Sequence, residues 1–476
     1  MMENMLLFAV LAPVIGALLL PLIGIYSFKI RNVFAFVFVF LSFMASCILL
    51  GPVLSGKITT FFVPAVFGLD ITLSADALGV FMALASTLIG MIIVFYSFGY
   101  IRRESNQNEY YFWVVLFLGA MVGLAYSLNL IFIYIFWEIS AIACWRLIGF
   151  YREPQIILKA DKAFLVTVFG ALAMLLGFII LFNDYGSFDL RALHNMAAPN
   201  IAVLLIMFGI FSKSATLPFH SWLPDAGVAP SPVTALLHAA VLVKIGVFVF
   251  ARLFVGNLTI DPSWGQILPI VIAISTLVAG GAALVENDIK RIIAYSTISQ
   301  LAFIFLGLFM NSRMAVAGGL LYIFTHGLAK AGLFLCAGIV EHNIHTKDIR
   351  QMGGLIKSMP GTALSFAFCA LSVMGIPPFS GFFSKYMVIA GAVEGGNPWI
   401  AGTFIVSAFL TVLYLIRVFA KVFLGELKQS NLKEGTPGML WAVIILAGLS
   451  LLGGFLIRYP NEFIQIAVRQ MVGIEL

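Results

Sequence analysis

Charged residues are scarce in this chain. Only 10% of its 476 residues are charged, whereas 62% are hydrophobic. A soluble globular domain is about a quarter charged and about half apolar, and a soluble fold with the present composition would leave large apolar patches in water. The scarcity of charge therefore argues against a disordered chain, a nucleic-acid-binding protein and an ordinary soluble enzyme, and it favours an integral membrane protein.

Cysteine and histidine are also scarce. The four cysteines form no C-x-x-C pair and stand in apolar runs, so we interpret them as small hydrophobic residues rather than disulfides or metal ligands. Of six histidines, His238 and His326 are the two deep inside apolar runs, which makes a poor case for paired haem ligands. We therefore expect neither a metal nor another cofactor in this chain.

Long apolar runs fill most of the sequence. A membrane-spanning helix needs about 20 mostly apolar residues, and these runs lack the alternation of barrel strands. The sequence therefore predicts an all-α integral membrane fold with about 14 transmembrane helices. The predicted spans are 4–26, 31–53, 75–100, 109–127, 128–150, 159–183, 200–225, 231–254, 265–285, 291–310, 315–341, 361–391, 398–424 and 436–457.

Lysine and arginine are distributed unevenly around these spans. Seventeen of the 27 basic residues fall in loops and helix ends that join odd-numbered to even-numbered spans, and six fall on the opposite side. Because cytoplasmic loops carry an excess of Lys and Arg, we expect the odd-to-even loops in the cytoplasm. Both termini are then predicted on the outer side of the cell inner (cytoplasmic) membrane.

Two segments on the predicted outer side are not spans. Residues 58–73 end in an alternating pattern that predicts a short hairpin, and residues 459–476 form a short amphipathic tail suited to the membrane interface. The first apolar run lacks a basic leader and a small-residue cleavage site, so we interpret it as a retained span. The simplest domain organisation is one membrane domain over 1–476.

The seventh and twelfth spans share a motif. Both contain Pro-Phe-x-x-aromatic, at Pro218 and at Pro378, which follows Pro377. Proline lacks a backbone donor and clashes with the preceding turn, so both helices should break there. The two spans are five apart, which predicts two five-helix repeats, helices 4–8 (109–254) and 9–13 (265–424), the second inverted. Inverted repeats with broken helices are typical of transporters; the alternative is two ordinary proline kinks.

Several ionisable residues lie deep inside the predicted spans, where they are costly and tend to be functional. Burial disfavours the charged form of a lysine, whereas a nearby carboxylate favours it, so such a group can change its protonation state. The pattern favours a proton relay over a pocket for a bulky solute. A structural ion pair, a snorkelling lysine and packed histidines are the alternatives for individual members. The series is Glu138, Lys213, His238, Lys244, His326, Lys330 and Lys385.

Four segments around these residues resemble one known family. They are FSKSATLPFHSWLPDA, APSPVTALLHAAVLVKIGVF, DIKRIIAYSTISQLAFI and FTHGLAKAGLFL. They are similar to the antiporter-like proton-translocating subunits of respiratory complex I, energy-converting membrane-bound hydrogenases and Mrp-type cation/proton antiporters. The resemblance covers about residues 70–425 and implies fourteen helices with inverted five-helix repeats.

The resemblance also implies a role for individual residues. The implied roles are the fifth-helix glutamate for Glu138, its seventh-helix partner for Lys213, the eighth-helix relay positions for His238 and Lys244, the central lysine of the second half for Lys330, and the twelfth-helix terminal position for Lys385.

Together these features predict a proton-translocating subunit of a multisubunit, redox-driven membrane complex, either complex I-like or a membrane-bound hydrogenase. Such a chain would be the pump subunit of an oxidoreductase (translocase) complex and would have no catalytic site of its own. The expected partners are sister antiporter-like subunits, small membrane subunits and a peripheral redox module.

Two alternative functions stay open. The first is a subunit of an Mrp-type Na⁺/H⁺ antiporter without redox chemistry. The second is a stand-alone organic-solute transporter, which is disfavoured because the buried charges form a row rather than one cluster. Na⁺ could also be bound by hydroxyl groups, although such side chains more often bond the preceding turn. The candidate hydroxyls are Ser212, Ser214, Thr216, Ser296, Thr297 and Ser299.

Overall fold

The computed structural model describes residues 1–66, 69–310, 312–429 and 432–472, and it is almost entirely helical. Twelve helical segments in this part of the chain are long and apolar enough to cross a membrane. The all-α integral membrane fold is thus confirmed. The helices are α1 (Met2–Tyr26), α2 (Phe28–Leu54), α3 (Ala77–Tyr100), α4 (Gln107–Tyr126), α5 (Leu130–Ile148), α6 (Pro154–Tyr185), α7 (Asn200–Lys213), α8 (Trp222–Asp225), α9 (Ser231–Ala235), α10 (Leu242–Phe250), α11 (Trp264–Val285), α12 (Ile289–Phe309), α13 (Arg313–Ile344), α14 (Pro360–Met374), α15 (Ser380–Glu394), α16 (Pro398–Phe423), α17 (Pro437–Phe455) and α18 (Arg458–Val472).

The predicted hairpin is present. Strands β1 (Thr59–Val63) and β2 (Ile71–Ala75) pair antiparallel, with Thr59 opposite Ala75; residues 67 and 68, between the strands, lie outside the described part. The predicted tail forms the amphipathic helix α18, which packs against α3 and α13. Residues 473–476 of that tail lie outside the described residues, and its place at the membrane interface stays a prediction.

Helix α13 occupies the centre of the molecule. It packs against α12, α14, α15 and α17, and nearly all of its side chains are buried. The outer helices α1, α2, α6 and α16 leave many large apolar side chains exposed, as expected for surfaces that face lipid or other subunits. Ionisable residues on α13 and its neighbours are therefore shielded by an outer layer of apolar helices.

The seventh predicted span is interrupted as expected. Helix α7 ends five residues before Pro218, and the chain becomes helical again at Trp222. Backbone groups freed by the break are bonded by side chains: Trp222 Nε1 donates to Ser212 O at 2.9 Å, and Leu217 N donates to Ser275 Oγ at 3.3 Å. These contacts allow an irregular segment to persist inside an apolar bundle.

The twelfth predicted span is also interrupted. Helix α14 ends at Met374 and is followed by Gly375, whose φ of 82° is the left-handed conformation that glycine adopts readily. The Gly375 N–H donates to Leu371 O at 3.1 Å, and α15 begins directly after Pro377, Pro378 and Phe379. Both predicted breaks are confirmed. The count of fourteen spans, the inversion and the unit boundaries 109–254 and 265–424 stay predictions.

The eighth predicted span is not a regular helix. It consists of α9, a π-helical turn at Leu236–Ala240, α10 and a second π-helical turn at Ala251–Val255. A π turn is wider than an α turn and is found frequently at functional sites. The first of these turns contains His238 and the second contains Arg252. Neither turn contains proline or glycine, so the sequence carries no local signal for them.

A buried ion pair fixes the end of this span. Arg252 pairs with Asp76, and their side chains are 4% and 16% exposed. Asp76 also caps α3 by accepting from Gly79 N at 2.8 Å, while Arg252 Nη2 donates to Ala125 O at 3.0 Å. The pair therefore joins α3, α4 and the second π turn.

We expect Asp76→Ala to destabilise the protein strongly, because it leaves the Arg252 guanidinium buried without its partner. Removing one member of a buried pair costs about 3–5 kcal/mol, so thermal unfolding of the purified protein should begin at a clearly lower temperature. Glu462→Ala is the matched control, since it breaks a pair with Arg458 whose members are 83% and 57% exposed and should cost below about 1 kcal/mol. Equal shifts for the two variants would contradict this assignment.

Candidate functional site

The ionisable residues predicted from the sequence are buried at the interrupted helices and around α13. Glu138 is half-buried, and each of the other six residues is at most 4% exposed. The structure places them in two adjoining clusters, which we call the Glu138 cluster and the His326 cluster. The Glu138 cluster comprises Glu138 and Lys213, and the His326 cluster comprises His238, Lys244, His326, Lys330 and Lys385.

The Glu138 cluster lies between α5 and the break after α7. Lys213 is the last residue of α7, and its ammonium donates to Trp137 O at 3.1 Å while lying 5.1 Å from the centroid of the Trp137 ring. In the described part of the chain no ion pair joins Lys213 to Glu138, whose buried Oε1 has no hydrogen-bond partner there. The lysine thus lies within electrostatic range of the carboxylate without being locked to it.

Two lysines of the His326 cluster bond to helix backbone. Lys244 Nζ donates to Ile323 O at 2.6 Å. Lys330 Nζ donates to Ile293 O at 3.1 Å and to Ser296 Oγ at 2.6 Å. Carbonyl and hydroxyl oxygens stabilise an ammonium group less firmly than a carboxylate does, so these lysines are held in place without a fixed counter-ion.

The third lysine lies on α15 and has aromatic neighbours. Lys385 Nζ is 4.6 Å from the centroid of the Phe303 ring and 5.9 Å from that of Tyr322. Among the described residues it has no hydrogen-bond partner. Buried ring faces attract an ammonium ion, so Lys385 is oriented by rings rather than by hydrogen bonds.

His326 stands at the centre of its cluster. Neither of its ring nitrogens, nor either of those of His238, has a hydrogen-bond partner in the part of the chain that is described. His238 instead packs against Phe334, with ring centroids 4.5 Å apart. Residues within electrostatic range of His326 are Lys244, Lys330, Lys385 and His238.

The two clusters are linked through residues adjacent to their members. Ser214, which follows Lys213, donates its hydroxyl to Val243 O at 3.1 Å, and Val243 precedes Lys244. The backbone segments that carry Lys213 and Lys244 are therefore in contact, which brings the two clusters side by side between α5 and α15. Buried polar atoms without protein partners commonly bind internal water, so a series of this kind is suited to passing protons between its members.

The sequence analysis missed several residues of this region. Trp137 supplies both the carbonyl and the ring that hold Lys213, and Gln300 and Tyr414 belong to a hydrogen-bonded group that begins at Lys330. Part of that group had a signal in the sequence: Ser407, Thr411 and Tyr414 recur at helical spacing on α16.

A cavity of about 360 Å³ lies beside the Asp76–Arg252 pair and is also lined by Arg191. Asp189, the partner of Arg191, accepts hydrogen bonds from Arg191 Nε at 3.0 Å and from Thr72 Oγ1 at 3.0 Å. Burial acts to raise the pKa of Asp189, but these hydrogen bonds outweigh it and leave the pKa below its usual value. Asp189 is therefore ionised at neutral pH, and its stabilising bonds are lost only as the pH falls through that lowered pKa.

An all-helical membrane fold with two interrupted helices and a buried series of lysines and histidines defines an antiporter-like membrane subunit. Residues 127–411 match the family described as NADH:quinone oxidoreductase/Mrp antiporter, TM. Residues 61–111 match the family described as NADH-Ubiquinone oxidoreductase (complex I), chain 5 N-terminus. The first match covers more than half of the chain, so the chain belongs to the NADH:quinone oxidoreductase/Mrp antiporter family, and the resemblance noted from the sequence is confirmed.

Curated relatives extend this match over nearly the whole chain. An Na⁺/H⁺ antiporter subunit of Alkalihalophilus pseudofirmus is 33% identical over 95% of this chain and 61% of its own length. An Na⁺/H⁺ antiporter subunit of Staphylococcus aureus is 31% identical over 93% of this chain and 60% of its own. The chain therefore spans about three fifths of the length of these curated relatives.

Two solved complexes contain chains of the same fold. A chain of the Mrp complex from Dietzia sp. DQ12-45-1b superposes with a TM-score of 0.89 at 19% identity, over 99% of this chain and 97% of that chain. A chain of the archaeal membrane-bound sulfane sulfur reductase superposes with a TM-score of 0.90 at 21% identity, over 98% and 97%. At these identities the likeness shows the fold alone.

Proposed function

We propose that this chain moves protons as an antiporter-like subunit of a multisubunit membrane complex. The observation that carries the proposal is the pair of buried clusters, the Glu138 cluster and the His326 cluster, which are linked by the contact between Ser214 and Val243. Protonation of Lys213 is controlled by its distance from Glu138, and charge is passed from there through Lys244 and Lys330 to Lys385. Each lysine is held by carbonyls, hydroxyls or rings, so either protonation state can be accommodated.

The chemistry of the series favours H⁺ over Na⁺ inside this chain. Hard cations prefer several oxygen ligands, carboxylates among them, whereas the series contains one carboxylate and six lysines and histidines. Five of the six hydroxyls considered above already have protein partners. Ser212 Oγ donates to Gly209 O at 2.9 Å, Thr297 Oγ1 donates to Ile293 O at 3.0 Å, and Ser296 Oγ accepts from Lys330 Nζ at 2.6 Å. These hydroxyls bond within and between the helices and do not form a set of free ligands.

Two sources of energy fit this proposal. Na⁺/H⁺ exchange in an Mrp-type assembly is favoured by the 33% identity, over 95% of this chain, to the Na⁺/H⁺ antiporter relative of Alkalihalophilus pseudofirmus. Electron transfer in a redox complex with a peripheral redox module is favoured by a different observation. This chain and a chain of the sulfane sulfur reductase complex match along almost their full lengths.

The deciding experiment uses inverted membrane vesicles from cells that contain the native complex. A pH-sensitive dye follows the lumen while either Na⁺ or an electron donor is added. We expect Lys213→Ala, in an assembled complex, to lower proton movement about a hundredfold, because it removes a positioned proton-transferring group. Lys57→Ala, at an exposed loop lysine, is the control and should transport normally.

The pH response that is lost in the Lys213→Ala vesicles identifies the energy source. Loss of the Na⁺-induced pH change supports Na⁺/H⁺ exchange, and loss of donor-driven acidification supports a redox-driven pump. If Lys213→Ala assembles normally and changes neither response, proton movement through this chain is refuted.

A further inference from the structure

A line of hydrogen-bonded side chains begins at Lys330 and leaves the ionisable series. Lys330 Nζ donates to Ser296 Oγ at 2.6 Å, and the Tyr414 hydroxyl lies 2.7 Å from the same oxygen. Tyr414 stands on α16, so the line crosses from α13 through α12 to a helix that carries none of the predicted relay residues. Tyr414 and Ser296 are both fully buried.

Further hydrogen bonds connect Tyr414 on α16 to residues near Lys385. Tyr414 OH lies 3.2 Å from Thr411 Oγ1, and Gln300 Nε2 donates to Thr411 Oγ1 at 3.0 Å. Gln300 Oε1 accepts from the Tyr322 hydroxyl at 2.6 Å. The ring of Tyr322 is the one whose centroid lies 5.9 Å from Lys385 Nζ. Protein side chains thus connect the hydrogen-bond partner of Lys330 to the aromatic surroundings of Lys385.

The direction of these hydrogen bonds depends on Lys330. The Tyr414 hydroxyl has one proton and two oxygen neighbours, Ser296 Oγ and Thr411 Oγ1, and it can donate to only one of them. A charged Lys330 has no acceptor, so Ser296 accepts from it, donates to Tyr414, and Tyr414 donates to Thr411. A neutral Lys330 has a lone pair, so Ser296 can donate to it and Tyr414 then donates to Ser296.

We propose that Ser296, Tyr414 and Thr411 form a hydrogen-bond switch that responds to the charge state of Lys330 and supports its charged form, with Gln300 and Tyr322 anchoring Thr411 on the side towards Lys385. Tyr414 is the positioning residue, since the reversal takes place at its hydroxyl. The Gln300 carboxamide donates to Thr411 and accepts from Tyr322 in both states, so it holds the far side of the switch in place, and no proton passes through it to Lys385. In a buried network, aligned hydrogen bonds reinforce one another. This inference rests on the proposed proton relay.

The test uses Tyr414→Phe in the native complex, measured in the vesicle assay. We expect normal assembly, a loss of proton movement of about tenfold, which corresponds to the loss of one buried hydrogen bond, and an alkaline limit of transport moved down by about one pH unit. The pH shift follows because Ser296 accepts best from a charged Lys330 when its own proton is donated to Tyr414. Without the Tyr414 hydroxyl, the charged form of Lys330 is less stable. Other ionisable groups facing Lys330 are His238, His326 and Lys385, and all are kept in both proteins.

Tyr126→Phe is the matched control. It removes a fully buried tyrosine hydroxyl that bonds Ser46 Oγ at 2.9 Å, away from the ionisable series. A merely structural role for Tyr414 would give the same small loss as Tyr126→Phe and an unchanged pH profile. A second measurement uses the double variant Tyr414→Phe/Tyr322→Phe. Its transport rate should equal that of the slower single variant, because both substitutions break the same line of hydrogen bonds.

The inference is overturned if Tyr414→Phe has the parent rate and pH profile, or if the two substitutions combine multiplicatively. If Tyr414→Phe assembles poorly, Thr411→Val is measured instead, and the same results are expected. Valine keeps the shape of threonine but removes Oγ1, the second acceptor available to the Tyr414 hydroxyl. Lys330→Met separates the switch from the relay. Loss of transport in Lys330→Met with normal transport in Tyr414→Phe refutes the switch alone, whereas normal transport in Lys330→Met refutes the relay.

Discussion

Lys330→Met should abolish proton movement while leaving the complex assembled, with a loss of about a hundredfold. Methionine preserves most of the volume of the lysine side chain but cannot hold a proton. Lys330 is fully buried on the central helix and donates to both Ser296 Oγ and Ile293 O. It lies within electrostatic range of His238, His326 and Lys385, so its charge state acts on three other members of the cluster.

The measurement is the initial rate of dye response in inverted vesicles, divided by the amount of assembled complex. Lys421→Met is the control, since it makes the same exchange at an exposed lysine of α16 and should leave the rate unchanged. A Lys330→Met complex that assembles and transports at the parent rate would show that protons do not pass this residue.

Gly327→Ala should also stop transport, through one added methyl group. A Cβ at this position would lie 2.5 Å from Lys244 Nζ and 3.1 Å from Ala239 O. Lys244 reaches Ile323 O because Gly327, one turn further along α13, has no side chain. The nearest clash is with the end of a flexible side chain, so we expect the helices to pack and Lys244 to be displaced. Loss of a positioned proton-transferring group should lower the rate about a hundredfold.

Gly281→Ala provides the matched control. Gly281 is also inside a membrane helix, α11, but an added Cβ there would meet nothing within 4 Å. Alanine also favours helix more than glycine does, so this variant should assemble and transport like the parent. Both variants are scored for assembly by the quantity of complex extracted in detergent. Parent-level transport by an assembled Gly327→Ala complex would show that the position of Lys244 is not critical.

The interrupted helices illustrate what sequence reasoning can reach. Proline acts locally, through its missing N–H and its clash with the preceding turn, so Pro218 and Pro378 locate both breaks without knowledge of the neighbours. The same reasoning could not show how the break is sustained. Trp222 and Ser275 bond the backbone around the first break, and Ser275 comes from a helix that is distant in sequence.

The π turn around His238 shows the opposite case. Its sequence, LLHAA, has the composition of an ordinary helix. The wider turn packs against α3, α12 and α13, and these contacts come from parts of the chain that are distant in sequence. The chain of hydroxyls at Tyr414 was missed for a related reason. Its residues are spaced helically on α16, but their partners on α12 and α13 are identified only when three helices are brought together.

Composition, local backbone chemistry and short motifs were enough to establish the membrane class, the family, the two helix breaks and the identity of the buried ionisable residues. Each of these signals acts over a short stretch of chain, so it can be read without knowing the fold. The packed helices were needed to learn which of those residues adjoin, which carbonyl each lysine contacts, and which hydroxyls link Lys330 to the surroundings of Lys385. Such contacts join helices distant in sequence, and in a uniformly apolar chain no local pattern specifies which helix faces which.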